Sequence, residues 1–156
     1  MIISFTGHRP TKIGGYKTPN PTYNYVYEQL TNKLLELKPS KCITGMALGV
    51  DTIAAELCLS LNIPFVAAIP FIGQESAWNK DQQQIYNDLL FEANETFVVS
   101  EGGYASWKMQ KRNQWMVDNS NIVLAVYDGS LGGTANCINY AKKLNKEVII
   151  INPLDC

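Results

Sequence analysis

Short, nearly unbroken apolar runs rich in β-branched residues recur along the chain at residues 2–5, 41–44, 65–69, 96–100, 122–126 and 148–151. Runs of this length predict strands, and their continuity, in place of alternation, predicts strands covered on both faces, as in a parallel sheet. Between them lie stretches with the helical period. The clearest joins Val50, Ile53, Ala54, Leu57, Cys58 and Leu61, with Asn62 and Pro64 as its stop. Segments 23–37, 77–91, 104–118 and 134–144 read as further helices. A strand followed by a helix, five times over with a final strand, predicts an α/β, Rossmann-like three-layer sandwich. Because such crossovers are right-handed, the sheet should be mostly parallel and doubly wound, with the first strand central.

No linker, repeat or low-complexity segment divides the 156 residues, and residues 14–21 read as a long loop after the first strand. A single domain over 1–156 is expected. The 13 basic and 14 acidic side chains give a net charge of -1, which offers no electrostatic footprint for a nucleic-acid backbone and argues against such a partner. The opening residues do not read as a secretory leader and no run has the length of a membrane span, so a cytoplasmic protein is expected. Cys42, Cys58 and Cys137 read as small apolar fillers of a reduced protein, and Cys156 as a frayed terminus. With His8 the sole histidine, no zinc ligand set exists, and neither a metal nor a required cofactor is expected.

In an open parallel sheet, ligands collect beyond the carboxyl ends of the strands. The first strand runs into Thr6-Gly7-His8-Arg9-Pro10, a cluster suited to an anion: glycine lets amides approach a phosphate, and Arg9 can grip it with two charge-assisted bonds. The alternative is a tight turn with a surface arginine, and His8 reads equally as a hydrogen-bonded structural residue. The second strand runs into Gly45-Met46-Ala47-Leu48-Gly49-Val50-Asp51. Two glycines before a helix start fit phosphate binding, although neither the dinucleotide fingerprint nor the P-loop is present. Asp51 could contact a ribose hydroxyl, or simply favour the positive end of the helix. The fifth strand runs into Asp128-Gly129-Ser130-Leu131-Gly132-Gly133-Thr134, a candidate second phosphate cradle whose alternative is a plain loop and cap. After the third strand, the loop carrying Gln74 ends in Trp78, which could stack on a base or pack at the helix start. Lys111-Arg112-Asn113 reads, alone, as a solvated helix face.

Together, the Thr6–Pro10 and Gly45–Asp51 segments, Gln74 with Trp78, Lys111-Arg112-Asn113 and Gly132-Gly133-Thr134-Ala135 resemble the YpsA-like members of the SLOG superfamily, relatives of DprA and of the LOG proteins. The resemblance spans nearly the whole chain. It implies a Rossmann-like fold and a nucleotide or nucleotide-derived ligand, in a sensor or sequestering protein. It also implies an enzymatic alternative, because LOG proteins cleave the N-glycosidic bond of nucleoside monophosphates with an arginine ahead of a PGGxGTxxE loop. Arg112 stands at that arginine and Gly133-Thr134 at the GT pair, but Asn136 and Cys137 stand where those proteins carry glutamates. An oxocarbenium-like transition state calls for a carboxylate. An N-glycosidase or base–sugar transferase would therefore need Asp51, Glu56, Glu75 or Asp128 at that point. A third possibility is an interaction module with a vestigial pocket, and a homo-oligomer built through a helix face suits the fold.

Overall fold

The computed structural model describes residues 1–156. Six strands, β1 (Ile2–Gly7), β2 (Lys41–Thr44), β3 (Phe65–Ile69), β4 (Glu95–Val98), β5 (Ile122–Val126) and β6 (Glu147–Ile151), pair in the order β4-β3-β2-β1-β5-β6. Every pairing is parallel. The helices between them are α1 (Pro21–Leu37), α2 (Val50–Ser60), α3 (Lys80–Glu92), α4 (Ser106–Asp118) and α5 (Gly133–Lys143). The chain is an α/β Rossmann-like three-layer fold with β1 at its centre, as the apolar periodicity predicts. Helices α1, α2 and α3 touch in series, and α4 packs on α5. The winding thus reverses at β1, where β2 lies on one side and β5 on the other.

The main core, with Ile3, Phe5, Val26, Leu30, Ile53, Leu57, Phe65 and Leu124, fills the α1–α3 side. Two smaller clusters, one around Met116 and one joining Val117, Val123, Cys137 and Ala141, seat α4 and α5. Cys42, Cys58 and Cys137 are buried and unpaired, and Cys156 is exposed. No helix is long and apolar enough to cross a membrane.

Two expectations shift. The apolar run at 96–100 forms a strand one residue earlier, at Glu95–Val98, and all four of its residues are exposed. As the sheet's edge it is not covered on both faces, and Phe97 instead stacks on Trp115 at 4.5 Å. Helix α3 starts at Lys80, not at Ala77, because Asn79 accepts the Gln82 amide at 2.8 Å while Gln82 accepts the Asn79 amide at 3.1 Å. That reciprocal cap leaves Trp78 in the preceding loop.

The end of β1 is pressed against the start of α2. A Cβ added at Gly7 would lie 2.5 Å from Val50 Cβ, and one at Gly49 would lie 2.4 Å from the His8 carbonyl. The Val50 amide donates to that same carbonyl at 3.2 Å. Gly7→Ala should destabilise the fold by about 1–3 kcal/mol through overpacking. Urea unfolding should also show that G7A together with V50G loses less than the two single changes added, because removing the whole Val50 side chain, Cβ included, makes room for the first. Strict additivity would place the strain elsewhere.

Candidate functional site

Past the carboxyl ends of β1 and β5, at the reversal point, a cavity of about 290 Å³ is enclosed by four segments. Thr6 to Arg9 and Lys12 come from the end of β1, Ala47 and Asp51 from the start of α2, Ser130 to Thr134 from the β5–α5 loop, and Met109, Arg112 and Asn113 from α4. A second cavity of about 670 Å³ shares Arg9, Met109, Asn113, Gly132 and Gly133 with the first. Its own walls combine the aromatic Trp78, Tyr104 and Trp107 with the polar Gln74, Gln110 and Asn136.

Arg112 is 4% exposed, so it is a buried residue and not part of a solvated face. Its Nη1 donates to the Gly45 carbonyl at 2.6 Å and, more weakly, to the Ala68 carbonyl at 3.5 Å, and its Nε donates to Asn113 Oδ1 at 3.0 Å. The ion pairs of the chain are His8–Asp128 and Lys33–Glu36, so no carboxylate lies within 4.0 Å of this guanidinium, and Nη2 has no hydrogen bond within the chain. Gly45 is required here for space: a Cβ would lie 2.7 Å from Arg112 Cζ and 2.8 Å from Asp51 Oδ2. Gln74 Nε2 donates to the same Gly45 carbonyl at 3.2 Å and to Tyr86 Oη at 3.3 Å.

Asp51, 8% exposed, accepts the Ala47 amide at 3.2 Å. Burial pushes its carboxyl above the ordinary range, with Arg112, the Ala47 amide and Arg9 acting in the opposite sense. Across the cavity, the amides of Gly133, Thr134 and Ala135 in the first turn of α5 make no hydrogen bond within the chain, leaving a positive helix end facing the space.

At the cavity edge, Lys12 Nζ donates to Ser130 Oγ at 2.5 Å, and the Ser130 hydroxyl and amide donate to Asp128 Oδ1 at 2.5 and 2.9 Å. These bonds, those from Ser130 above all, hold the Asp128 carboxyl down to about 2. His8 Nε2 accepts the Asp128 amide at 3.0 Å and lies 2.9 Å from Asp128 Oδ1. The carboxylate favours an imidazolium, but burial outweighs it and moves His8 below its ordinary range. Accepting the amide requires a lone pair on Nε2 and bonding the carboxylate requires a proton there, so the two contacts belong to different protonation states of the ring.

The sequence candidates therefore divide. Thr6, Gly7, His8, Arg9, Ala47, Asp51, Arg112, Gly132, Gly133 and Thr134 converge on the first cavity, and Gln74 and Trp78 on the second. Trp78 also packs edge-on against Tyr86 at 5.4 Å, which is the packing role the sequence offers for it. Gly45, Met46, Gly49, Asp128 and Gly129 line neither space. Gly45 and Gly49 permit close packing, the buried Met46 turns the chain at φ 61°, and Asp128 braces the Ser130 loop. Of the four carboxylates, Asp51 alone lines either of these cavities: Glu75 lines neither, and Glu56 faces a separate one. Sequence reasoning missed Lys12, Met109, Asn113, Tyr104 and Trp107. The i, i+3, i+4 spacing of Met109, Arg112 and Asn113 marks one helix face and carried the signal.

Residues 3–153 match the family model described as the YspA SLOG family, YpsA. The chain belongs to the YpsA family. A relative within reach of direct alignment, the uncharacterized SPbeta prophage-derived protein YoqJ of Bacillus subtilis strain 168, is 39% identical over 145 residues, covering 80% of this chain and 84% of YoqJ. Similar solved structures include DNA processing protein A from Streptococcus pneumoniae (TM-score 0.67, 16% identity, 95% of this chain and 49% of that one). The Helicobacter pylori protein of the same name (0.67, 18%, 96% and 64%) is described by its single-stranded DNA binding mode. A molybdenum cofactor carrier protein from Chlamydomonas reinhardtii is also similar (0.58, 18%, 96% and 74%). This YpsA-family chain thus spans about half of one DNA processing protein and 64% of the other. The likenesses establish the fold. Because a protein of this fold binds single-stranded DNA, the balanced charge gives no support for setting nucleic acid aside.

Ser130→Ala should raise the titration midpoint of Asp128 from about 2 toward the ordinary 3.8, as read by carboxyl-carbon NMR. The depressed value means that Asp128 adds stability above pH 3.8 that is lost as pH falls toward 2. In S130A that loss should begin at higher pH; an unmoved midpoint would locate the cause outside Ser130.

Proposed function

We propose that this YpsA-family protein binds a nucleotide or nucleotide-derived phosphate ligand, acting as a sensor or sequestering protein. The observation that carries this reading is a buried guanidinium with no carboxylate within 4.0 Å and an uncommitted Nη2, on the wall of the cavity that the unpaired α5 amides face. A buried cation that Asp51 compensates only from beyond 4.0 Å is costly to hold, and an anion seated between Arg112 and α5 lowers the cost on both sides. Exposed Arg9, which lines both cavities, supplies a second fork for a phosphate at their junction. The neighbouring aromatic walls, Trp78, Tyr104 and Trp107, suit a planar ring joined to that phosphate. The reading invokes no metal and no cofactor besides this ligand.

Calorimetry against AMP, NAD, ADP-ribose and cyclic nucleotides tests the proposal. At least one should bind, and Arg112→Lys, which keeps the charge but loses the fork, should weaken it about tenfold or more, equivalent to about 1.4 kcal/mol. Arg9→Ala should weaken binding as well. Silence across the panel, or variants that bind as the wild type does, would sink the proposal.

One observation favours an enzymatic alternative, an N-glycosidase or base–sugar transferase. Asp51 lines the cavity with Arg112, and burial raises its carboxyl above the ordinary carboxylate range, the direction a proton-donating role requires. Cys137 cannot replace it, since its thiol is pushed up to about 11 and stays neutral. If the alternative holds, chromatography should show base release from nucleoside monophosphates, reduced about 100-fold or more in Asp51→Asn with ligand binding retained. Absence of turnover by the wild type over a broad panel retires it.

A further inference from the structure

Glu56 lies away from the cavities described above. It is five residues beyond Asp51 on α2, hence roughly 140° around the helix, and it faces a third cavity of about 160 Å³. Tyr16, Tyr23, Thr52, Gln82 and Ile85 stand around it, contributed by the loop before α1, by α1 itself, by α2 and by α3. The carboxylate is half-buried, yet it accepts no hydrogen bond within the chain, and no lysine or arginine lies within 4.0 Å. The nearby Tyr23 hydroxyl is also without a hydrogen-bond partner, and burial together with the Glu56 charge raises its pKa. Thr52 spends its proton on the Ala47 carbonyl at 2.9 Å and keeps its lone pairs. The one formal charge on this space is thus the Glu56 carboxylate, with the Thr52 lone pairs and the Tyr23 hydroxyl near it, set among apolar and aromatic surfaces.

We propose that this cavity is a binding site for an organic cation, an alkylammonium or alkylguanidinium group whose charged head meets Glu56 and Tyr23 and whose stem lies along Ile85 and the Tyr16 ring. Three observations converge on that chemistry. A half-buried carboxylate without a counter-charge is unfavourable, and burial does raise the Glu56 pKa. The Glu56 carboxylate, with the lone pairs of Thr52 and Tyr23, accepts from an ammonium or guanidinium and repels a phosphate or carboxylate. The tyrosine rings offer faces to a cation, and the space holds about five water-sized groups, the size of a butylammonium ion. The site is independent of whatever occupies the larger cavities.

The test uses the full chain, labelled with ¹⁵N and titrated with n-butylammonium, with n-butylguanidinium and with uncharged n-butanol. At least one of the two cations should produce saturable shifts at the Thr52, Ile53 and Glu56 amides, with butanol weaker by about tenfold or more. Glu56→Gln should lose the preference for charge. Because it removes an unpaired charge and breaks no bond, E56Q should melt no lower than the wild type. Saturation with the bound cation should also bring the Glu56 carboxyl midpoint back down, since a cation favours the ionised form. A methylamide of Nα-acetyl-lysine binding tighter than butylammonium would assign the cation to a protein side chain, and the reverse order to a free amine; either supports the site. No saturable shift with either cation, equal binding of butanol, unchanged binding by E56Q, or a lowered melting temperature for E56Q would each overturn it.

Discussion

The guanidinium of Arg112 has been withdrawn from water with no carboxylate in direct contact, and much of the architecture near the sheet's reversal point is arranged around that fact. Its bonds run to carbonyls at the ends of β2 and β3, so a residue of α4 ties together two strands and the helix layer. Gly45 has no side chain because the guanidinium occupies the place where one would go. Gln74 reaches the same carbonyl from the opposite loop. Asp51 stands near enough to feel the cation and too far to pair with it, which keeps both charges only partly compensated. Carbonyl dipoles hold the arginine in place but cannot neutralise it, so the positive potential is directed into the adjoining space.

Much of the architecture was legible in the chain because strand–helix alternation and crossover handedness leave few other foldings. The position of β1 followed from that logic alone. What failed was local. Hydrophobicity at residues 96–100 could not distinguish a strand covered on two faces from an edge strand relieved by a single aromatic stack with Trp115. The start of α3 was decided by Asn79 and Gln82 bonding each other's amides, a signal that a reading keyed to apolar period passes over.

The site was legible in its glycine loops and obscure in its helix. Gly132, Gly133 and Thr134 fell where the loop pattern placed them, at an uncapped helix start facing a cavity. Arg112 looked like half of a solvated charge pair because sequence alone does not reveal which neighbour of Lys111 points inward; Met109 and Asn113, three and one residues away, share its face. The four acidic candidates resembled one another in sequence and separated only in space. One lies beside the cation, one is locked to a serine, one lines no described cavity, and one faces a different hollow altogether.

Gly7 and Gly49 answer to backbone distance: they are where β1 and α2 cross at a separation that leaves no room for a methyl group. Any chain built on this crossing needs the same two absences. A glycine at either position therefore records a steric demand of the crossing itself, whereas Tyr104 and Trp107, exposed on the rim of the second cavity, stand under no such demand.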